Sequence, residues 1–131
     1  MNSLRAADST AVNKDLRTWT VLCHASALAG LFVPGAGHLA GPLFVWLFKR
    51  AESSEIDAHG KESLNFQLSM FIYTSVLGVI CFILIFVLIG FLLIPLFALL
   101  YVLDIVLVII ASLKASEGQF YRYPFTIRLI N

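Results

Sequence analysis

The sequence predicts an all-α integral membrane protein, a four-helix bundle with a short second span and both termini cytoplasmic. Three observations carry that expectation: an apolar composition, a long run without charge, and cationic residues that fall on one side of the membrane. The 131-residue chain is 60% hydrophobic and 13% charged, whereas an average soluble domain is about 45–50% apolar and about 25% charged. Too few polar groups remain to cover a water-facing surface, so a bilayer is the expected solvent. A net charge of +1 offers little to a phosphate backbone, and no nucleic-acid partner is expected.

Residues 1–16 form a polar arm in which Asp8 and Asp15 mix with Arg5 and Lys14. The apolar stretch beyond it continues, with interruptions, to Phe48, too long for the apolar region of a cleaved signal peptide. The first span runs from Arg17 to Val33, where "PGAG" breaks it. "HLAGPLFVWLF" then returns to Lys49 and Arg50. That return holds only about 12 residues, short for a span. Helix tilt, local thinning or a partly re-entrant path accommodates it, and Pro42 is expected to kink it or open a turn.

From Met70 to Leu103 no residue is charged. One helix of that length would rise about 50 Å, against a hydrocarbon core of about 30 Å. Two helices are therefore expected, over 60–88 and 92–116, reversing around Gly90, with Pro95 in the first turn of the second. Residues 17–116 thus make a four-helix transmembrane domain, and 117–131 an interfacial aromatic and basic tail. The alternative is one kinked helix over 18–48, giving three spans. With four spans, all nine Lys and Arg residues share one side and the loops near 34–37 and 89–91 hold none, which the positive-inside bias favours. Cys23 and Cys81 lie in apolar segments and read as packing residues without a disulfide.

The stretch "EIDAHGKESLNFQLSMFIY" (55–73) holds the densest polar pattern. Asp57 and the serines before it suit a helix N-terminus. On a helical wheel Lys61, Glu62, Asn65, Ser69 and Tyr73 gather on one side, with His59 at the edge. This stripe descends roughly 18 Å and should face other helices or water rather than lipid. On the first span Arg17, Thr20, His24 and Ala27 line one side, while Ala25 with Ala29, or Ser26 with Gly30, form small-xxx-small pairs for close helix approach. Asp104 is the acidic residue deep in a span, and the cost of a mid-membrane carboxylate, about 2.5–3.5 kcal/mol, predicts burial against Tyr73, Ser69 or His24.

Other motifs are set aside. "GAGHLA" matches a dinucleotide pattern but lacks the strand and βαβ context, and reads as a tight turn. His24, His38 and His59 sit in separate segments without ligand spacing, so no metal site is expected. His59 with Glu62 has the composition of an acid–base pair but no nucleophile or oxyanion donor nearby. No catalytic or cofactor-binding residue is assigned. In the tail "EGQFYRYPFTIRLI", Gly118 fits a helix C-cap, and Tyr121, Arg122, Tyr123 and Arg128 suit the headgroup interface. The tail is expected along the membrane or on the cytoplasmic loop.

The blocks "LCHASALAGLFVPGAGHLAGPLFVWLFKR", "DAHGKESLNFQLS" and "ASLKASEGQFYRYPFTIRLI" resemble a bacterial domain-of-unknown-function membrane family related to the Tic-twenty chloroplast import component. The resemblance covers about residues 16–130 and implies a four-helix membrane protein. In plastid relatives it implies membership of a protein-import translocon; for bacterial members it implies no activity. His59, Gly60, Lys61, Glu62, Asn65, Gln67, Tyr123, Pro124 and Arg128 match the pattern without an assigned role. The resulting expectation is a small non-enzymatic protein of the bacterial inner membrane. It would act as subunit or adaptor of a larger assembly, contacting lipid and other membrane proteins or itself. The alternatives are a channel or translocation component lined by Lys61, Asn65, Ser69 and Asp104, and a membrane enzyme using His59 and Glu62.

Overall fold

The computed structural model describes residues 1–85 and 90–130 and is all-helical, with no strand among the described residues. Helix α1 (Asn2–Ala25) tightens into a 3-10 segment (Ser26–Leu31); α2 covers Ala36–Lys49, α3 Ser54–Ile85 and α4 Ile94–Ser116, the last preceded by a 3-10 turn (Gly90–Leu93). The expected reversal ahead of Gly90 falls on residues 86–89, outside the described residues.

The polar arm is not separate from the first helix. Residues 2–16 contain neither Gly nor Pro, so nothing interrupts helix propagation there, and the arm extends α1 as an exposed N-terminal half. Pro42 lies inside α2 and the helix continues past it. Ser53 caps α3: its Oγ accepts the Glu55 N–H at 3.1 Å, and Glu55 and Asp57 occupy the first turn, where the helix dipole favours negative charge.

α1 and α2 form a short hairpin whose contact surface is built from small residues. A Cβ on Gly41 would stand 2.0 Å from the Ser26 carbonyl oxygen, and one on Gly37 2.6 Å from that of Ala29. The Ser26–Gly30 face of the first helix thus meets a Gly37-xxx-Gly41 face on α2, the close-approach geometry of membrane helices.

The hairpin covers only part of the longer pair. α2 has 14 residues, about 21 Å of helix, and α3 has 32, about 48 Å. The Pro34–Gly35 turn shares a cavity with Thr74 and Leu100, which marks where coverage stops. Above that level α3 is almost wholly buried from Gly60 to Met70; below it, from Phe71 to Ile85, Cys81 is the buried residue among those described. α3 and the segment Gly90–Ser116 are both long and apolar enough to cross a membrane.

The covered end is also the cationic end. Lys49 sits 4.3 Å over the Trp19 ring, Arg17 reaches to within 3.2 Å of where a Gly118 Cβ would be, and Lys61 pairs with Asp57 at 2.9 Å. Asp57 also accepts the Trp46 indole N–H at 2.7 Å, joining α2 to α3. The core beneath holds Ala27, Phe66, Leu107, Val108 and Ala111 with Tyr123 from the tail. Cys23 and Cys81 are buried and free.

Candidate functional site

The site begins where α4 ends. Gly118, at φ +76°, donates to the Ala115 carbonyl at 3.0 Å while Gln119 donates to that of Lys114 at 2.9 Å. These paired bonds close the helix and need a left-handed residue, hence glycine. The chain then passes His59, whose ring centroid lies 5.0 Å from that of Phe120. Tyr123 enters the core and stacks on Phe66 with centroids 3.9 Å apart. The chain turns at Pro124 and Phe125 and runs back along α3.

On that return the polar stripe of α3 binds tail backbone. Tyr73 Oη donates to the Phe125 carbonyl at 2.7 Å. Ser69 Oγ accepts the Ile127 N–H at 2.8 Å and lies 3.1 Å from its carbonyl oxygen. Asn65 Oδ1 accepts the N–H groups of Leu129 and Ile130 at 2.9 and 2.7 Å, and its Nδ2 donates to the Ile130 carbonyl at 2.9 Å. Glu62 Oε1 accepts the Tyr123 N–H at 2.7 Å, and its Oε2 pairs with Arg128. The register has a simple origin. Four helical residues rise about 6 Å and two extended residues about 6.6 Å, so side chains four apart on α3 meet tail residues two apart.

Beside this latch lies a chain of buried rings. His24 Nδ1 is 3.0 Å from Tyr123 Oη, and His24 Nε2 is 2.9 Å from His59 Nδ1. Each of the two contacts joins groups that can donate or accept, so the row links Tyr123, His24 and His59 in either tautomer. His59 Nε2, at the far end of the row, is buried with no hydrogen-bond partner among the described residues. Ser63 Oγ, one helical turn further on, is also buried without a partner.

Asp104 belongs to a different wall. It is buried, at 6% exposure, as its isolation in an apolar span requires, but Tyr73, Ser69 and His24 are not its partners. Gln67 Nε2 donates to its Oδ1 at 3.1 Å, and His38 Nδ1 lies 3.5 Å from Oδ2. The reason is angular. Gln67 is two residues from both Asn65 and Ser69, so it points across α3, toward α2 and α4. These three side chains border a cavity of roughly 180 Å³ with Tyr101, Thr74 and Pro34 on its rim.

The predicted residues thus divide. Glu62, Asn65, Ser69, Tyr73, Tyr123 and Arg128 come together in the latch, and His24 and His59 adjoin it. Lys61 stays at the outer end with Asp57. Asp104 stands apart, so Asn65, Ser69 and Asp104 do not line one path. The tail lies along α3 with Tyr123, 3% exposed, sunk into the core, while its other described residues stay exposed or half-buried, and the stripe supplies partners for its backbone. Tyr121 packs edge-on against Tyr123 at 5.5 Å, and Arg122 remains exposed. Sequence reasoning missed His38, dismissed with the glycine turn, and Gln67. The signal for Gln67 is the column His59, Ser63, Gln67 at four-residue spacing. Among the described residues no group of three His, Cys, Asp or Glu side chains converges for a metal ion.

No curated protein and no solved structure matches the chain. One family model does, and it overturns the expected kinship with the Tic-twenty-related family, because its match takes in all three blocks on which that resemblance stood. Across residues 15–130 the sequence fits the MamF/MmsF family model, described as the magnetosome magnetite crystal formation protein family, and the chain belongs to that family.

Proposed function

We propose that this is a small non-enzymatic, multi-pass membrane protein that serves magnetite crystal formation as a subunit or adaptor of a larger membrane assembly. Both termini face the cytoplasm, and the membrane is the inner membrane or the magnetosome membrane. The family supplies the process. The observation that carries the subunit role is the engagement of the α3 stripe with the protein's own tail. Side chains bound in this way hold a surface in shape; they are not available as a polar conduit or as an acid–base pair. His59 and Glu62 face a histidine and a backbone amide respectively, and neither faces an open substrate cleft. Burial of Glu62 with Arg128 gives the latch a charge-assisted anchor. The exposed cationic end, with the α1 arm rising from it, is the surface offered to a partner.

The test is extraction from magnetite-forming cells in mild detergent, followed by quantitative mass spectrometry of what co-purifies. A membrane partner in fixed ratio is expected, together with altered crystal size when Glu62→Ala replaces the native chain. Purification as a lone chain, with crystals unchanged by that variant, overturns the subunit role.

A further inference from the structure

We infer that residues 119–130 form a re-entrant membrane segment, with Phe125 at its tip and Phe125, Ile127 and Leu129 in contact with lipid acyl chains. This goes beyond an assembly role and rests on the reading that α3 crosses the membrane.

Three independent observations lead there. The first is depth. The Phe125 carbonyl is held by Tyr73, twelve positions along α3 from Lys61, which is about 18 Å of helix and so about half of a membrane measured from its charged edge. Tyr73 itself lies within the run free of Asp, Glu, Lys and Arg that follows Glu62.

The second is alternation. Phe125, Ile127 and Leu129 are 84%, 38% and 55% exposed, while Arg128 between them turns inward to Glu62. An extended segment with every second side chain large, apolar and outward is suited to hydrocarbon, as is the exposed Val76 one turn beyond Tyr73 on α3.

The third is the backbone. Non-helical chain is tolerated at membrane depth only where protein satisfies its polar groups. Here the amides of Tyr123, Ile127, Leu129 and Ile130 and the carbonyls of Phe125 and Ile130 all have partners on α3. Phe125 adopts φ 55°, a conformation rare for a bulky residue. The turn it makes reverses the tail at the depth where the α1–α2 hairpin also reverses.

The experiment places a nitroxide at Phe125→Cys or Leu129→Cys, in a full-length chain carrying Cys23→Ala and Cys81→Ala, reconstituted into phosphatidylcholine vesicles. Val79→Cys, on the exposed face of lower α3, serves as the internal reference. Collision with oxygen should exceed collision with a water-soluble nickel chelate several-fold at 125 and less so at 129. Adding Asn65→Ala with Ser69→Ala should reverse that preference at 125. A label at 125 in water while 79 is in lipid overturns the re-entrant tail. Labels at 79 and 125 both in water overturn the membrane reading of α3 itself. Where the cysteine-free chain does not fold, Phe125→Trp in the otherwise native chain replaces it. Added quenching by lipids brominated at mid-chain supports the inference, and quenching by aqueous iodide alone overturns it.

Discussion

The two halves of the α3–α4 pair solve opposite problems. Toward the cationic end, α3 carries Glu62, Asn65, Gln67 and Ser69, each buried, and is wrapped by the α1–α2 hairpin on one side and the tail on the other. Toward Gly90, the same two helices carry Val79, Ile83, Leu96 and Leu99, each exposed, with no covering element among the described residues. The wrapped half needs protein around it because each polar group removed from water must find a partner. The bare half needs none, because lipid satisfies an apolar surface and a helix satisfies its own backbone. One helix therefore changes surroundings along its length, from protein interior to an uncovered apolar surface.

That contrast can be broken most severely at Glu62. Its removal leaves the half-buried Arg128 and the Tyr123 amide without their partner, and hydrogen bonds to a charged group are worth about 1.5–3 kcal/mol each. Glu62→Ala should therefore release the tail, read as proteolytic cleavage within 119–130 in detergent micelles that leaves the native chain intact. Asn65→Ala is the next step down. It removes three part-buried bonds to tail backbone, for about 1–3 kcal/mol, measured by denaturant titration of the folded chain in mixed micelles. Val79→Ala sharpens the comparison from the other side. An exposed position away from any packed contact should move stability by no more than about 0.5 kcal/mol in the same titration. An effect at Val79 as large as that at Asn65 would mean that the lower half is packed against protein.

The helical plan was legible to different degrees along the chain. The length of the run from Met70 to Leu103 demands two helices whatever they pack against, and Pro95 and Gly118 mark positions that backbone sterics alone assign. The polar stripe was legible as a stripe, since Glu62, Asn65, Ser69 and Tyr73 share a face by periodicity. Its partner was not. Periodicity says that a face must be satisfied and not by what, and a tail of alternating aromatic and basic residues reads equally well as an interfacial anchor. The same limit applies to Asp104. Its burial follows from charge in an apolar span, but its choice of Gln67 and His38 depends on the rotation of α4 and on how far the glycine hairpin penetrates. His38 looked like part of a turn because "GAGHLA" was read for its glycines, whereas it sits in the first turns of α2 and reaches across to α4.

Local chemistry therefore determined, from the sequence alone, that the chain is helical, apolar along α3 and α4, and cationic at one end. Those properties follow from residue type and spacing, which act within a few turns of backbone. Tertiary structure alone decided that the α3 stripe would bind the tail, that two histidines and a tyrosine would lie within hydrogen-bond distance in a row, and that Asp104 would look the other way. Such pairings join residues far apart in the chain, and they are selected by the register of packed helices, a quantity that no single helix contains.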